Sequence, residues 1–218
     1  MKTMTMFRNA LGRAPIVPVL VVEDVAHAAP LAHALAKGGL TAVEVTLRTP
    51  SALEVITEMK AAAPDLLVGA GTLISEGDID ASLKAGADFL VSPGASPLLL
   101  TALAYHDGVI LPGVATASEA MARFDEGYGF VKFFPAEASG GAKFLKAIGA
   151  PLPHIDFMPT GGVSEANLAD YLALANVPAV GGSWIATGAD LTAGDWAGIE
   201  AKAVSAVERT RQLRPTKG

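Results

Sequence analysis

One lysine stands inside an apolar segment, where a charged side chain is uncommon. Lys132 lies within residues 130–134, whereas the other eight lysines fall in terminal, loop or helical sequence. Side chains of a strand alternate between its two faces, so Lys132 shares a face with Phe130 and Phe134. Burial of an ammonium is costly and favours the neutral amine, the nucleophile that forms a Schiff base with a ketone. The alternatives are a structural lysine paired with a buried carboxylate, or one that reaches solvent at the strand end.

A carboxylate and a guanidinium lie four residues apart in a second segment, residues 43–49. Apolar and polar residues alternate there, so Glu44, Thr46 and Arg48 share the face opposite to the valines. One interpretation is a buried ion pair between Glu44 and Arg48. The functional interpretation assigns proton transfer to Glu44 and the binding of a carboxylate or phosphate to Arg48. A guanidinium nearby would also favour the neutral amine of Lys132.

Short apolar segments alternate with longer amphipathic ones, which is the pattern of βα repeats. The predicted strands cover residues 16–22, 42–47, 66–70, 89–92, 109–111, 130–133, 154–158 and 179–180. The predicted helices between them include residues 51–63, 75–85, 118–126 and 164–174, each opened by serine, a common N-cap residue. Strict alternation predicts an α/β fold with a parallel sheet, and eight repeats predict a single (β/α)8 TIM barrel over residues 1–218 with an N-terminal helical extension. A doubly wound open sheet is the alternative, but no Gly-x-Gly-x-x-Gly follows the first predicted strand.

Two glycine pairs follow the last two predicted strands. Thr160-Gly-Gly follows the seventh strand, and Gly-Gly-Ser183 follows the eighth. Glycines let backbone N–H groups approach an anion closely, and barrel enzymes often bind phosphate in these two loops. The sequence therefore predicts a phosphate site in the loops after the last two strands.

Composition excludes several kinds of site and partner. Hydrophobic residues make up 51% of the chain and charged residues 17%, which suits a large core and an apolar subunit interface. The absence of cysteine excludes disulfides, thiol catalysis and zinc–thiolate sites. The four histidines (27, 33, 106 and 154) show no metal-ligand spacing, so neither a metal nor another cofactor is expected. A net charge of -6 without a basic cluster argues against nucleic acid as a partner.

Two uncharged segments resemble export or membrane signals. An apolar stretch, residues 15–22, comes after Arg13, but Glu23 and Asp24 interrupt the pattern directly afterwards. Residues 171–189 are long enough to span a bilayer, but Pro178 and three glycines divide them into a helix end, a loop, a short strand and a second loop. We therefore expect a cytoplasmic protein without membrane association.

Six segments together resemble the KHG/KDPG aldolase family, in order and spacing, from about Pro15 to Trp184. They are Val43-Glu-Val-Thr-Leu-Arg-Thr49, Val68-Gly-Ala-Gly-Thr72, Ser92-Pro-Gly94, Lys132-Phe-Phe-Pro-Ala-Glu137, Pro159-Thr-Gly-Gly162 and Gly181-Gly-Ser-Trp184. The resemblance implies a metal-independent class I aldolase with a phosphorylated keto-deoxy sugar acid as substrate and pyruvate as product. It also implies a homotrimer of barrels.

The resemblance implies a role for each matching residue. Lys132 would be the Schiff-base lysine and Glu44 the general acid and base. The implied substrate-binding residues are Arg48, Thr72, Pro93, Phe134, Thr160, Gly161, Gly162, Gly182 and Ser183. The first two would hold the pyruvate carboxylate, and the next two would form an apolar wall beside it. Thr160 would contact the substrate hydroxyl groups, and the last four residues would bind the phosphate.

Several alternative activities stay open at this point. Within the family, 4-hydroxy-2-oxoglutarate is a second substrate, and the C4 epimer of the sugar acid differs too little to be distinguished by Thr160. A phosphosugar isomerase or epimerase would reuse the barrel and phosphate loops, but it would work by a carboxylate pair and would not need Lys132. A non-catalytic sugar-phosphate-binding barrel would tolerate Lys132→Ala.

Overall fold

The computed structural model describes residues 2–214, in which strands and helices alternate along the chain. The strands are β1 Ile16–Leu20, β2 Ala42–Thr46, β3 Leu67–Gly71, β4 Phe89–Val91, β5 Val109–Leu111, β6 Gly113–Val114, β7 Phe130–Phe133, β8 Asp156–Pro159 and β9 Val180–Gly182. The helices are α1 Met4–Arg13, α2 Ala28–Lys37, α3 Ala52–Ala62, α4 Glu76–Lys84, α5 Pro97–Leu103, α6 Ala117–Asp125, α7 Gly141–Gly149, α8 Leu168–Leu172, α9 Gly188–Ala193 and α10 Trp196–Leu213. A short 3₁₀ helix, Val25–His27, precedes α2.

All strand pairs are parallel, which confirms the α/β class expected from the sequence. The strands form a six-stranded sheet of order β5-β4-β3-β2-β1-β9 and a three-stranded sheet of order β6-β7-β8. The hydrogen bonds therefore do not form the one continuous eight-stranded sheet that a closed barrel would have. Pro112, which has no N–H, separates β5 from β6, and a single bridge between Thr160 and Gly181 connects the end of β8 to β9.

Each predicted strand overlaps an observed one, and the differences lie at boundaries and short elements. β6 was not predicted, because two residues after a proline carry no periodic signal. α6 begins earlier than expected, since Thr116 forms the N-terminal capping box in place of Ser118. α8 is shorter than the predicted 164–174, because Asn167 forms a turn in which its Oδ1 accepts from the Ser164 N–H at 2.8 Å.

The strands separate two hydrophobic cores. Their outer face packs against the helices through residues such as Val43, Val45 and Phe133. The opposite face, here called the inner face, carries Val17, Ala42, Leu67, Phe89 and Phe130, and its core is smaller. Residues 130–133 therefore alternate as the sequence predicts, with Lys132 on the inner face beside Phe130.

Helix α1 closes the inner core at the amino ends of the strands. Phe7 is fully buried, and its ring lies 4.7 Å from that of Phe89 and 6.2 Å from that of Phe130, centroid to centroid. The Arg8 guanidinium lies 4.9 Å from the Phe130 ring centroid and forms an ion pair of 2.6 Å with Asp156 at the start of β8. The expected N-terminal helical extension is thus present, and it fills one end of the inner core.

The uncharged residues 171–189 are divided among α8, β9 and the start of α9. Across residues 2–214, no helix is long and apolar enough to cross a bilayer.

The packing of Phe7 predicts a large loss of stability on truncation. Phe7→Ala should lower the free energy of unfolding by about 3–5 kcal/mol, because it opens a cavity beneath two aromatic rings. Met6→Ala is the matched control, since Met6 is 48% exposed on the same helix and should change the value by less than about 0.5 kcal/mol. Urea unfolding followed by circular dichroism measures both. Equal effects of the two variants would show that α1 does not close the inner core.

Candidate active site

Lys132 and Glu44 form a buried ion pair, although they are distant in the chain. Each is the third residue of its strand, β7 and β2 respectively, and both side chains lie on the inner face. The Lys132 Nζ atom donates to Glu44 Oε1 at 3.0 Å, and the two residues are only 4% and 0% exposed. Both charges are largely removed from bulk solvent, so each is stabilised chiefly by the other. The alternative of an ion pair between Glu44 and Arg48 is wrong, because the partner of Glu44 is Lys132.

The carboxylate of Glu44 occupies space that a glycine provides. A Cβ atom at Gly71 of β3 would collide with Glu44 Oε1, so no larger residue fits there without displacing the carboxylate. Gly69 provides the same kind of space for the ring of Phe89, which lies beneath the ion pair. The second oxygen, Glu44 Oε2, is buried without a hydrogen-bond partner among the described residues. A buried acceptor of this kind is suited to receive a hydrogen bond from a water or a substrate hydroxyl.

An aromatic ring and a proline lie beside the lysine. The Lys132 Nζ atom is 5.4 Å from the ring centroid of Phe134. Gly113 is the register partner of Lys132 on β6, and a Cβ atom there would collide with the backbone carbonyl of Pro93. The structure thus brings Phe134 beside the lysine and the backbone of Pro93 against the neighbouring strand. A bound molecule would meet an aromatic ring on the Phe134 side.

Thr72 adopts a left-handed backbone conformation directly after β3. Its φ of 67° makes it the one non-glycine residue with positive φ among the described residues. A β-branched residue pays an energetic cost in this region, and such strain is concentrated at functional sites. Arg48 lies after the end of β2, where its N–H donates to the Thr46 carbonyl at 2.8 Å. Both expected anion-binding residues therefore lie at the carboxyl ends of adjacent strands, β2 and β3.

The loop after β8 lies against the strand that carries the lysine. The Thr160 N–H donates to the Phe133 carbonyl at 2.9 Å, and a Cβ atom at Gly181 would collide with Thr160 Oγ1. A Cβ atom at Gly161 would be 3.3 Å from the ring of Phe134. Gly161 and Gly162 have φ values of 95° and 82°, which glycine alone adopts readily. The backbone of this loop therefore requires glycine at both positions.

The loop after β9 opens toward solvent. Gly182 is buried beneath the ring of Trp184, which fills the space where a side chain at position 182 would lie. Ser183 is exposed and lines a cavity of about 580 Å³ together with Val19, Glu23 and His27. The two glycine loops are joined through the bridge between Thr160 and Gly181. They therefore present Gly161, Gly162 and Ser183 at one end of the strands.

The histidines are spread over the molecule. His33 contacts the Ala62 carbonyl, His27 packs edge-on against Trp196, and His154 stacks on Phe124. Within residues 2–214, no group of three or more histidine, aspartate or glutamate side chains is arranged to hold a metal ion.

Sequence reasoning missed the residues that make room for the site. Gly71 and Gly113 have no functional group, yet their lack of a side chain admits the Glu44 carboxylate and the Pro93 backbone. The signal was available at Gly69 and Gly71, since two glycines at spacing two in a strand indicate close approach on one face. The left-handed backbone of Thr72 carried no such signal.

A family model, described as KDPG and KHG aldolase, matches residues 7–202 of the chain. The 2-dehydro-3-deoxy-phosphogluconate aldolase of Pseudoalteromonas atlantica is 47% identical over 200 residues, which cover 92% of this chain and 93% of the relative.

Two solved structures are similar over most of the chain. The KDPG aldolase of Legionella pneumophila, with pyruvate captured as a covalent carbinolamine intermediate, has a TM-score of 0.88 at 40% identity. The alignment covers 91% of this chain and 97% of that one. The 2-keto-3-deoxy-6-phosphogluconate aldolase of Zymomonas mobilis, with 3-phosphoglycerate, has a TM-score of 0.85 at 41% identity and covers 92% and 94% of the two chains.

The strain at Thr72 can be measured as stability. Thr72→Gly should leave the free energy of unfolding unchanged or raise it by up to about 1 kcal/mol, because glycine relieves the left-handed strain but loosens the unfolded chain. Thr46→Gly is the matched control, because Thr46 is extended, buried and hydrogen-bonded to the Leu20 carbonyl at 2.9 Å. That change should cost about 2 kcal/mol or more. Urea unfolding measures both variants, and equal losses would argue against strain at Thr72.

Proposed function

Because the chain belongs to the KDPG and KHG aldolase family, we propose that it is a class I aldolase, an aldehyde-lyase that acts through a Schiff base on Lys132. The substrate is 2-dehydro-3-deoxy-6-phospho-D-gluconate, and the products are pyruvate and D-glyceraldehyde 3-phosphate, as in the Entner–Doudoroff pathway. The observation that carries this proposal is the buried ion pair of Lys132 and Glu44. It provides the nucleophile and a proton acceptor in contact with it.

The ion pair supports a simple route to the imine. Transfer of one proton from the Lys132 ammonium to Glu44 over 3.0 Å leaves a neutral amine and a carboxylic acid. The amine attacks C2 of the keto acid to give a carbinolamine, and Glu44 returns its proton as the C2 hydroxyl leaves as water. The product is a protonated imine beside an ionised Glu44. The imine cation withdraws electrons from the substrate, so no metal is needed for this role.

The same carboxylate then serves bond cleavage. Ionised Glu44, directly or through a water, removes the proton of the C4 hydroxyl. The electron pair of the C3–C4 bond moves to the imine, which becomes an enamine, and the aldehyde leaves. Glu44 returns the proton to C3, and hydrolysis of the resulting imine releases pyruvate and Lys132. The buried, unpartnered Oε2 of Glu44 supports this role, because it is a free acceptor beside the lysine.

The remaining site residues divide into two groups in this proposal. Arg48 and Thr72 bind the pyruvate carboxylate at the ends of β2 and β3, with Pro93 and Phe134 as the apolar wall beside the methylene carbon. Thr160 contacts the substrate hydroxyl groups. Gly161, Gly162, Gly182 and Ser183 bind the phosphate through backbone N–H groups and one hydroxyl.

Cleavage of 4-hydroxy-2-oxoglutarate is a second activity in this proposal, since the matching family includes KHG aldolases. That substrate has a keto acid end that Lys132, Arg48 and Thr72 would treat in the same way. A phosphosugar isomerase is disfavoured, because the carboxylate at this site is paired with a lysine and not with a second carboxylate.

We also propose that residues 1–218 form one (β/α)8 barrel. β5 and β6 are successive parts of one strand around Pro112, and the bridge between Thr160 and Gly181 lies where the ring of strands would close. The family match over residues 7–202 supports a single domain. We propose the cytoplasm as the location of the protein.

The imine chemistry predicts a covalent adduct. Incubation with pyruvate and sodium borohydride should add one reduced pyruvyl group to Lys132, located by peptide mass spectrometry. Lys132→Arg should give no adduct and should lower kcat by at least about a thousandfold, because a guanidinium keeps the ion pair but forms no imine. Lys146→Arg is the matched control, since Lys146 is exposed on α7 and should keep both the adduct and the activity.

No adduct on the folded wild-type protein would overturn the class I assignment. An adduct on a different lysine would support the class I reaction but would show that Lys132 is not the Schiff-base residue.

We propose further that the chain forms a homotrimer, and an exposed apolar patch supports self-association. Ile74 lies just before α4 and Leu98 in the first turn of α5, and they are 70% and 85% exposed. Each residue lies at the amino end of its helix, and the two helices pack against each other. If the two side chains form one contiguous apolar surface, that surface is of the kind that interfaces cover.

The patch predicts which substitution dissociates the assembly. Leu98→Asp should convert a trimer into monomers, because a buried, unpaired carboxylate destabilises an apolar interface. Val204→Asp, at a 38% exposed position on α10, is the control and should stay trimeric. Light scattering after size exclusion measures the mass of each. A monomeric wild-type protein, or a trimeric Leu98→Asp variant, would contradict the proposed interface.

A further inference from the structure

A glutamate outside the proposed catalytic set lies beside the glycine loop after β8. Glu137 follows β7 and is exposed as a residue, yet its Oε1 accepts a hydrogen bond from the hydroxyl of Tyr171. Tyr171 belongs to α8 and is fully buried. Burial, together with the hydrogen bond to Glu137, raises the pKa of the Tyr171 phenol well above its ordinary value. The phenol therefore remains protonated, and it stays a donor to Glu137.

The backbone and the aliphatic part of Glu137 hold the loop from one side. Its N–H donates to the Gly161 carbonyl at 3.0 Å. A Cβ atom at Gly162 would be 2.5 Å from Glu137 Cγ and 2.7 Å from Glu137 Cβ, so these methylenes occupy the space beside Gly162. With φ at 82°, Gly162 has a conformation that other residues rarely adopt. The stem of Glu137 thus lies directly against the proposed phosphate loop.

The carboxylate of Glu137 is turned toward a different part of the structure. A Cβ atom at Gly141, the first residue of α7, would be 3.1 Å from Glu137 Oε1 and 3.3 Å from the Tyr171 hydroxyl. The atoms of Glu137 nearest to Gly162 are carbons. The negative charge is therefore held at Tyr171 while the uncharged stem faces the loop, an arrangement that limits repulsion of an anion bound there.

A side-chain amide holds the same loop from the other side. The Asn167 Nδ2 atom donates to the Gly162 carbonyl at 3.0 Å, and its Oδ1 accepts from the Ser164 N–H at 2.8 Å. The carbonyl groups of Gly161 and Gly162 both have donors. With its carbonyls fixed, the loop presents its N–H groups in a defined direction.

Resting on the proposed function, we propose that Glu137 and Tyr171 are positioning residues that hold the Gly161–Gly162 loop in the orientation that binds the substrate phosphate. Neither residue touches the substrate. Their hydrogen bond fixes the Glu137 side chain, and the stem of Glu137 fixes the loop. Loss of the bond frees the stem and turns the carboxylate toward the phosphate, so binding of the phosphorylated substrate is weakened.

The test compares 2-dehydro-3-deoxy-6-phosphogluconate with the same sugar acid without its phosphate. In Tyr171→Phe, KM for the phosphorylated substrate should rise about tenfold, the scale of a hydrogen bond to a charged group, with kcat changed by less than about twofold. KM for the unphosphorylated acid should change by less than about twofold, because the lysine end of the site is not affected. A structural role alone would raise KM for both substrates by similar factors.

Two variants of Glu137 provide the second measurement, since an exposed residue can be changed without loss of folding. Glu137→Gln keeps an acceptor for the Tyr171 hydroxyl and should retain a KM near that of the wild type. Glu137→Ala removes the stem and should raise KM for the phosphorylated substrate about tenfold. Tyr128→Phe, the same chemical change at the amino end of β7, is the matched control and should behave like the wild type.

The outcomes separate this inference from the proposed function. A wild-type enzyme that forms the Lys132 adduct and cleaves the phosphorylated substrate, with KM unchanged in Tyr171→Phe and Glu137→Ala, overturns the positioning role alone. Equal increases in KM for both substrates overturn the positioning role as well, since they indicate a general structural role. A wild-type protein that gives no adduct and cleaves neither substrate removes the proposed function, and this inference with it.

Discussion

The buried ion pair of Lys132 and Glu44 is the constraint on which the rest of the structure depends. Removing one partner would leave a buried, unpaired charge, at a cost of about 3–5 kcal/mol. The two residues belong to different sheets, so their 3.0 Å contact exists only if the sheets face each other at a fixed separation. The rings of Phe89 and Phe130 beneath the pair, with Phe7 below them, fill that separation from the amino end. The aromatic core and the polar pair therefore stabilise one another.

Small residues explain how charged groups fit where a core would otherwise be packed. Gly71 leaves room for the Glu44 carboxylate, Gly113 for the Pro93 backbone and Gly181 for the Thr160 side chain. Glycine weakens a strand because it restricts the unfolded chain less and adds no side-chain contact. Glycine on the inner face therefore lowers the local stability of the strands. The polar groups for which it makes room explain why it is present there. The outer face, where no such groups must fit, is packed with branched aliphatic residues.

Much of this arrangement could be predicted from the sequence, because strand periodicity reports which residues share a face. It placed Lys132 with Phe130, and Glu44 away from the valines, as the structure confirms. Periodicity does not report which strand lies opposite, so it left open whether Arg48 or Lys132 pairs with Glu44. It also has no signal for β6, which is too short, or for Thr72, whose residue type disfavours a left-handed backbone. Tyr171 was hidden for a related reason, since a buried tyrosine resembles any other core residue until its hydroxyl partner is known.

The two ends of the strands are subject to different physical demands. At the amino ends, α1 adds a fully buried aromatic side chain and an ion pair, which stabilise the fold. At the carboxyl ends, Thr72 is strained and Gly161 and Gly162 need positive φ, at a cost of about 1–3 kcal/mol for the strained residue alone. A domain has a net stability of only about 5–15 kcal/mol, so such strain persists only if the packing elsewhere outweighs it. The proposed specificity for phosphate then lies in loops that can change while the aromatic inner core near Lys132 stays the same. A change of substrate length would accordingly require changes in the loops after β8 and β9 and none in the ion pair.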